Sequence, residues 1–569
     1  MNAVAYCATY FVFNVMRINL QCKFSILSNI LYICPQHMFV SMKKFLYAIP
    51  LFFCLHAQAQ QGNLSGDLMM NVNFFQRDTN IKAAGNQLYD NFLSGGEGWL
   101  GLRYAGFGFT GIVRFDAFHN SNLQNPTSAL TAAGIGMFSL SKEFKKLTIT
   151  GGHIYDQIGS GIIFRAYEDR GLLIDNALFG LHLKYRLNDH VTVKGFSGQT
   201  KNLFERYQPI LKGMNIETDF DLGSKAHITP GIGIVNRTMD KGSMDAVVGT
   251  INDLPMTDRF IPTYNMYAAT LYNTLNAGNF TWYVEGALKS QEALAMPNEG
   301  LRNKSGNVIY TTLGYSMNKL GVNASLKRTE NFVMRTSPNE VLLKGIFNWQ
   351  PIIAQIRPQR LIARYTPPSQ DLSELASNLN AFYTPNDKLN FNLAYTRINT
   401  LKDQVLYREL FVETEIRTIK NVLLHMGIQY LNYNQSIYQV KNIDDYPIVK
   451  AFTPFIEIGY KINKKNSIRA ELQYMSTKQD YGSWVFGLLE YNISPTWSFA
   501  VSDMYNVKPN KIHVSAAHHY PNVFVAYTKD ANRFTLQYVK QVDGINCTGG
   551  VCRYEPAFSG FKIGVTSSF

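Results

Sequence analysis

From Asn63 onward, apolar and polar residues alternate almost one by one to the end of the chain. Leu64, Leu68, Met70, Val72 and Phe74 interleave with Asn63, Ser65, Asp67, Asn71 and Asn73. Ala177, Phe179, Leu181, Leu183, Tyr185 and Leu187 interleave with Asn176, Gly180, His182, Lys184 and Arg186. The same rhythm recurs at Phe280, Trp282, Val284 and Leu288, and again at Ile468, Ala470, Leu472 and Tyr474. Side chains two positions apart share one face of a strand, so each run predicts a strand with one apolar and one wet surface. The runs reach roughly 10–12 residues, against about 5–6 in a soluble sandwich, which suits a tilted strand crossing a bilayer.

Clusters of Asn, Gly, Asp and Pro separate the runs, for example at Asn188-Asp189, Asn276-Ala277-Gly278-Asn279, Pro385-Asn386-Asp387 and Asp530-Ala531-Asn532. They suit tight hairpins. Longer polar segments at 77–95, 119–131, 237–262, 330–372 and 541–556 lie between them. Eleven short turns and a terminal strand predict an all-β, closed, antiparallel transmembrane barrel of about 24 strands, range 20–26. Short turns would face the periplasm and long loops the exterior, with both termini periplasmic. Tyr104, Phe107, Tyr185, Phe280, Trp282, Tyr383, Tyr460, Tyr491, Trp497, Tyr527, Phe534 and Phe569 stand beside the short turns, as an interfacial aromatic girdle would.

The final strand carries the most specific signal. Phe561, Ile563, Val565 and Phe569 share one face with the small Ser567, opposite Lys562, Gly564, Thr566 and Ser568. This ending resembles the closing strand of bacterial outer-membrane barrels, whose insertion signal runs polar, x, Gly, x, x, aromatic, x, aromatic. Lys562, Gly564 and Phe569 fit it, and Ser567 departs from it. The resemblance implies recognition by the barrel-assembly machinery.

At the other end, Lys43-Lys44, the apolar run Phe45 to Leu55 and Ala57-Gln58-Ala59 form a secretory leader over 42–59, cleaved before Gln60. Residues 1–41 read as a mis-called upstream extension, and 60–569 as a single barrel. The net charge of +13 falls to +9 once Arg17, Lys23, Lys43 and Lys44 are removed. The remaining Lys and Arg are scattered one or two per strand, which argues against nucleic acid. Four of the six cysteines precede Gln60. Cys547 and Cys552 remain around Gly549-Gly550 and read as a local disulfide in an exported protein. A two-ligand metal site there lacks further ligands nearby.

Candidate chemistry is sparse. The stretch Tyr155, Asp156, Arg165, Glu168, Asp169 and Arg170 mixes both signs with Gly159 and Gly161. It is either a constriction loop folded into the lumen or a solvated extracellular loop, and the solvated loop is the default. Glu409, Glu413 and Glu415, with His425, Glu457, Arg469 and Glu471 on following strands, would line the lumen, as charged rows do in any water-filled barrel. His513, His518 and His519 cannot share one ion along a strand. There is no nucleophile elbow and no complete metal motif, so no catalytic residue, metal or cofactor is assigned.

Leader, first strand, the segment Gly549-Gly550-Val551-Cys552-Arg553-Tyr554 and Phe569 together resemble uncharacterised outer-membrane barrels of the Bacteroidetes type, a domain-of-unknown-function family. Two functions suit such a barrel embedded in outer-membrane lipid. One is a porin-like channel for a small polar solute. The other is an assembly or secretion-accessory barrel that holds a membrane or periplasmic protein. A TonB-dependent transporter would need, as that family has, a plug domain of about a hundred residues, yet alternation begins within five residues of Gln60.

Overall fold

The computed structural model describes residues 62–569 apart from 127, 297–299, 341–342, 369–371, 440–446, 513–515 and 549–550, and it leaves out the side chains of 545–553. The expected leader, its cleavage point and His513 therefore lie outside the described residues.

Asn63–Phe75 pairs with Ser94–Gly106 on one side and with the last strand, Phe558–Ser568, on the other. The sheet therefore closes on itself and has no free edge. Its 25 segments are all antiparallel, and Phe220–Leu222 merely extends Glu205–Thr218 against the same neighbour, Ala226–Thr238. The wall is a 24-strand transmembrane β-barrel.

Burial is inverted relative to a soluble protein. Leu288 is 69% exposed while the adjacent Lys289 is 3% exposed. Leu271, Leu379, Leu393, Leu410, Ile428 and Tyr430 are exposed in the same way, and Thr270, Glu285, Thr396 and Glu409 are buried. A wall whose apolar face looks outward and whose polar face looks inward is what lipid outside a closed sheet requires.

One end of the barrel carries tight turns, such as Phe107-Gly108, where both residues take positive φ, the geometry of a two-residue hairpin. The long connections 76–93, 239–264, 331–373 and 542–557 stand at the other end, together with a tight one at Leu203-Phe204. Within 239–264, the helix Lys241–Asn252 is capped by Asp240, which accepts from the Ser243 amide at 3.1 Å. Its buried Met244, Val247 and Ile251 pack on Ala293 and Leu301.

The chain end seals the seam. The Gly66 amide donates to the Phe569 carbonyl at 2.7 Å, and the Phe569 amide donates to the Gly66 carbonyl at 3.0 Å. The Phe569 ring lies so close over Gly66 that a Cβ there would sit 2.5 Å from it. A side chain at 66 would displace the terminal aromatic.

Candidate functional site: the lumen and its two inward loops

A 24-strand barrel is too wide for wall side chains to fill. Here the connections 155–177 and 331–373 enter the lumen. Leu147–Ile154 has only eight residues and leaves the wall early. The segment 155–177 then crosses the interior. Ile158, Ile162, Ile163 and Phe164 are buried against Leu211, Val235, Met266, Ala268, Ala287 and Val308 of the wall. The Ser160 amide donates to Glu285 at 3.0 Å, and Glu285 stands five residues above the turn end of its strand, or about 13 Å at the rise of a tilted strand. Gly159, at φ +54, lets the backbone approach this carboxylate, since a Cβ would lie 2.7 Å from its oxygen.

Charge pins the loop as well. The buried guanidinium of Arg114 pairs with Asp116 at 2.7 Å, Glu168 at 2.8 Å and Asp175 at 2.7 Å. Lys201 reaches Asp175 at 2.6 Å, and the Tyr155 hydroxyl donates to it at 2.8 Å. Asp156 meets Lys194 at 2.9 Å and His182 at 3.0 Å. Arg170 bridges Glu168 and Asp67, at 2.7 and 3.3 Å. Burial pushes the Asp156 carboxyl up, but His182 and Lys194 outweigh it and hold it below the usual carboxylate range. Burial acts the same way on Asp175, where Lys201 and Arg114 prevail and lower it. Glu168-Asp169 and Ile174-Asp175 pair as a small hairpin, and Asp169 accepts from the Leu172 amide at 3.0 Å.

The second loop, 331–373, laces into the first. The Arg165 amide donates to the Phe347 carbonyl and the Trp349 amide to the Gly161 carbonyl, each at 2.9 Å. Asn348 donates to the Ile162 carbonyl and Asn176 to the Ile346 carbonyl, each at 3.0 Å. The Arg165 guanidinium sits over Tyr167 and Trp349, at 4.7 and 4.6 Å. Beyond this lacing, Ile353, Ala354, Leu361 and Tyr365 join the core on the far wall, with Tyr407, Tyr433, Trp484 and Met504. Arg357 stacks at 3.7 Å over Phe411 and lies 4.0 Å from Glu413.

The expectation of a solvated extracellular loop at 155–175 is thereby corrected. Tyr155, Asp156, Arg165, Glu168 and Arg170 are seated in the lumen. Four apolar side chains and a set of carboxylates find complementary partners there and would find only water outside.

The wall carboxylates form one connected group. Glu413 accepts from Asn392 at 2.7 Å and meets His425 at 2.9 Å. His425 stands opposite Glu457 in register, and Glu457 stands opposite Glu471. Arg469 is shared by Glu457 at 3.0 Å, Glu471 at 3.5 Å and Glu490 at 3.3 Å. Glu415 pairs with Arg417 at 2.8 Å. Sequence reasoning missed Arg114, Lys194, Lys201, Glu285, Arg357 and Glu490. Arg114, Lys194, Glu285 and Glu490 occupy lumen-side positions of the alternation, so their facing was readable and their partners were not, whereas Lys201 falls out of phase with Lys194 at the end of Val191–Asn202. Among the described residues no cluster of three or more His, Cys, Asp or Glu is placed to hold a metal.

The chain belongs to a family of unknown function (DUF6029), which it matches over residues 42–569. No curated protein matches it. Among solved structures it is similar to the translocation pore of the P pilus usher PapC, at 10% identity and TM-score 0.43, covering 90% of this chain and 99% of that one. It is also similar to the siderophore receptor PirA from Pseudomonas aeruginosa, at 10% identity and TM-score 0.38, covering 90% and 81%. A third similar structure is Pseudomonas aeruginosa OpdK with vanillate, at 10% identity and TM-score 0.32, covering 77% and 99%.

Proposed function

We propose that this protein is an outer-membrane channel for a small polar solute, narrowed by its own loops 155–177 and 331–373. One observation carries the proposal, a polar ladder along the lumen wall. It runs from Glu490 through Arg469, Glu457, His425 and Glu413 to Arg357 on the second loop. A solute with hydroxyls or charge can exchange water for these groups step by step, whereas a lumen built only to be sealed would be served by apolar side chains. Carboxylates outnumber the cations along this path, which favours cationic or neutral polar solutes. The turn end faces the periplasm, the leader is removed before Gln60, and the terminal strand is the element that the assembly machinery reads.

Planar-bilayer recordings test this. The intact protein should show small or intermittent conductance, and replacing 339–365 by a short Gly-Ser linker should enlarge it. The combined variant Glu413→Gln, Glu415→Gln, Glu457→Gln should shift the reversal potential towards anions. Silence from both intact and shortened forms would move the function to a barrel that holds a partner protein.

A further inference from the structure

The outward face shows a row of cations at the loop-end edge of the apolar band. Arg397 stands directly opposite Arg408 in register, Arg408 opposite Asn432, and Asn432 opposite Lys450. All four alternate outward with the exposed apolar residues beneath them, Tyr395, Leu410, Tyr430 and Phe452. From Tyr460 to Lys450 a tilted strand climbs about 25 Å, the height of a barrel's apolar belt. The row therefore lies where lipid headgroups of the outer leaflet begin.

Like charges directly opposite one another on a sheet repel. Several other charges on this rim are matched: His519 with Asp503 at 2.5 Å, Lys540 with Asp78 at 2.7 Å, and Arg328 with Glu330 at 2.8 Å. In the row, Arg397 has Asp403 at 3.2 Å. Among the described residues no carboxylate pairs with Arg408 or Lys450, and the Nε of Arg408 is buried without a hydrogen-bond partner. A planar guanidinium beside a second cation, above an acyl-facing floor of Tyr, Leu and Phe, has the chemistry for a phosphate that carries lipid chains.

We propose that Arg397, Arg408, Asn432 and Lys450 bind the phosphate of an outer-leaflet phosphoglycolipid, whose acyl chains lie on Tyr395, Leu410, Tyr430 and Phe452. This rests on the outer-membrane placement proposed above but not on the channel activity.

The full chain, refolded in detergent, is titrated with phosphorylated lipid A, with dephosphorylated lipid A and with inorganic phosphate, and thermal melting is followed. Phosphorylated lipid A should raise the melting temperature, and the other two should not. The combined variant Arg397→Gln, Arg408→Gln, Lys450→Gln should bind it on the order of 100-fold more weakly, since each basic group near an anionic lipid surface contributes about 1 kcal/mol. Lys388→Gln, Lys420→Gln, Lys465→Gln at the turn end should change nothing. If the triple variant does not fold, Arg408→Gln alone carries the test, with a loss of several-fold. Equal affinity in the variants, or equal binding of the dephosphorylated lipid, overturns the proposal, and so does stabilisation by phosphate alone. Conductance measured on the same samples separates the two ideas, because the row faces away from the lumen and its variants should conduct as the intact protein does.

Discussion

Replacing Arg114 by Gln should loosen the first inward loop without unfolding the barrel. Arg114 holds Asp116, Glu168 and Asp175 through one buried guanidinium. Removing one partner of a buried ion pair costs about 3–5 kcal/mol because the remaining charge stays desolvated. Here the loss falls at the low end, about 3 kcal/mol. Asp175 keeps Lys201 and the Tyr155 hydroxyl, and Glu168 keeps Arg170. Asp116, on the wall, is left alone. The wall is held by its own ladders, so the cost is expressed as weaker seating of 155–177. At 1.4 kcal/mol per decade, the unseated fraction should rise roughly 100-fold. Ile158, Ile162, Ile163 and Phe164 still anchor the loop, at about 1.5–3 kcal/mol each, so it should remain mostly seated at rest. Single-channel recordings should therefore show more frequent brief openings and no permanently open pore. Adding Asp116→Asn to the variant removes the stranded charge and should restore part of the quiet baseline, a coupling that a double-mutant cycle reads directly. An opening frequency equal to that of the intact protein, in a variant that still migrates as a compact heat-resistant band, would refute the electrostatic seating of this loop.

Three further outcomes are expected. Asp156 and Asp175 are held below the usual carboxylate range when folded, so their contribution is complete above the ordinary aspartate value of about 3.9 and is lost as the pH falls through the lower folded value. Openings should be flat from pH 8 to 5 and increase below about pH 4, with Asp175→Asn blunting that increase; an onset near neutrality would rule out these carboxylates. Deleting Phe569 should remove its two backbone bonds to Gly66 and the ring above it, and surface levels measured by whole-cell labelling should drop severalfold, whereas Ser567→Tyr should be neutral or helpful. Cys547 and Cys552 face each other in register across the hairpin of Gly544–Thr548 and Val551–Glu555, and alkylation mass spectrometry on protein from intact cells should find them disulfide-bonded. Two free thiols would show the hairpin to be held by its backbone alone.

The barrel itself was legible from residue order, because period-2 alternation is a local property and lipid tolerates no unpaired backbone. Parity alone put Glu413, Glu457 and Glu471 on the lumen side. What parity cannot supply is the fate of a segment that leaves the wall. At 155–177 the glycines and mixed charges have the composition of a solvated loop, and their complements lie far away in the chain: Arg114 is 61 residues from Asp175, and Glu285 is 125 residues from Ser160. Those distances collapse only when 24 strands close and leave a cavity that apolar loop residues can fill. The alternation of the chain therefore determined the wall and its two faces, and closure of the barrel decided that the lumen is occupied, because only the closed sheet brings an Arg from one strand and a Glu from another onto the same loop.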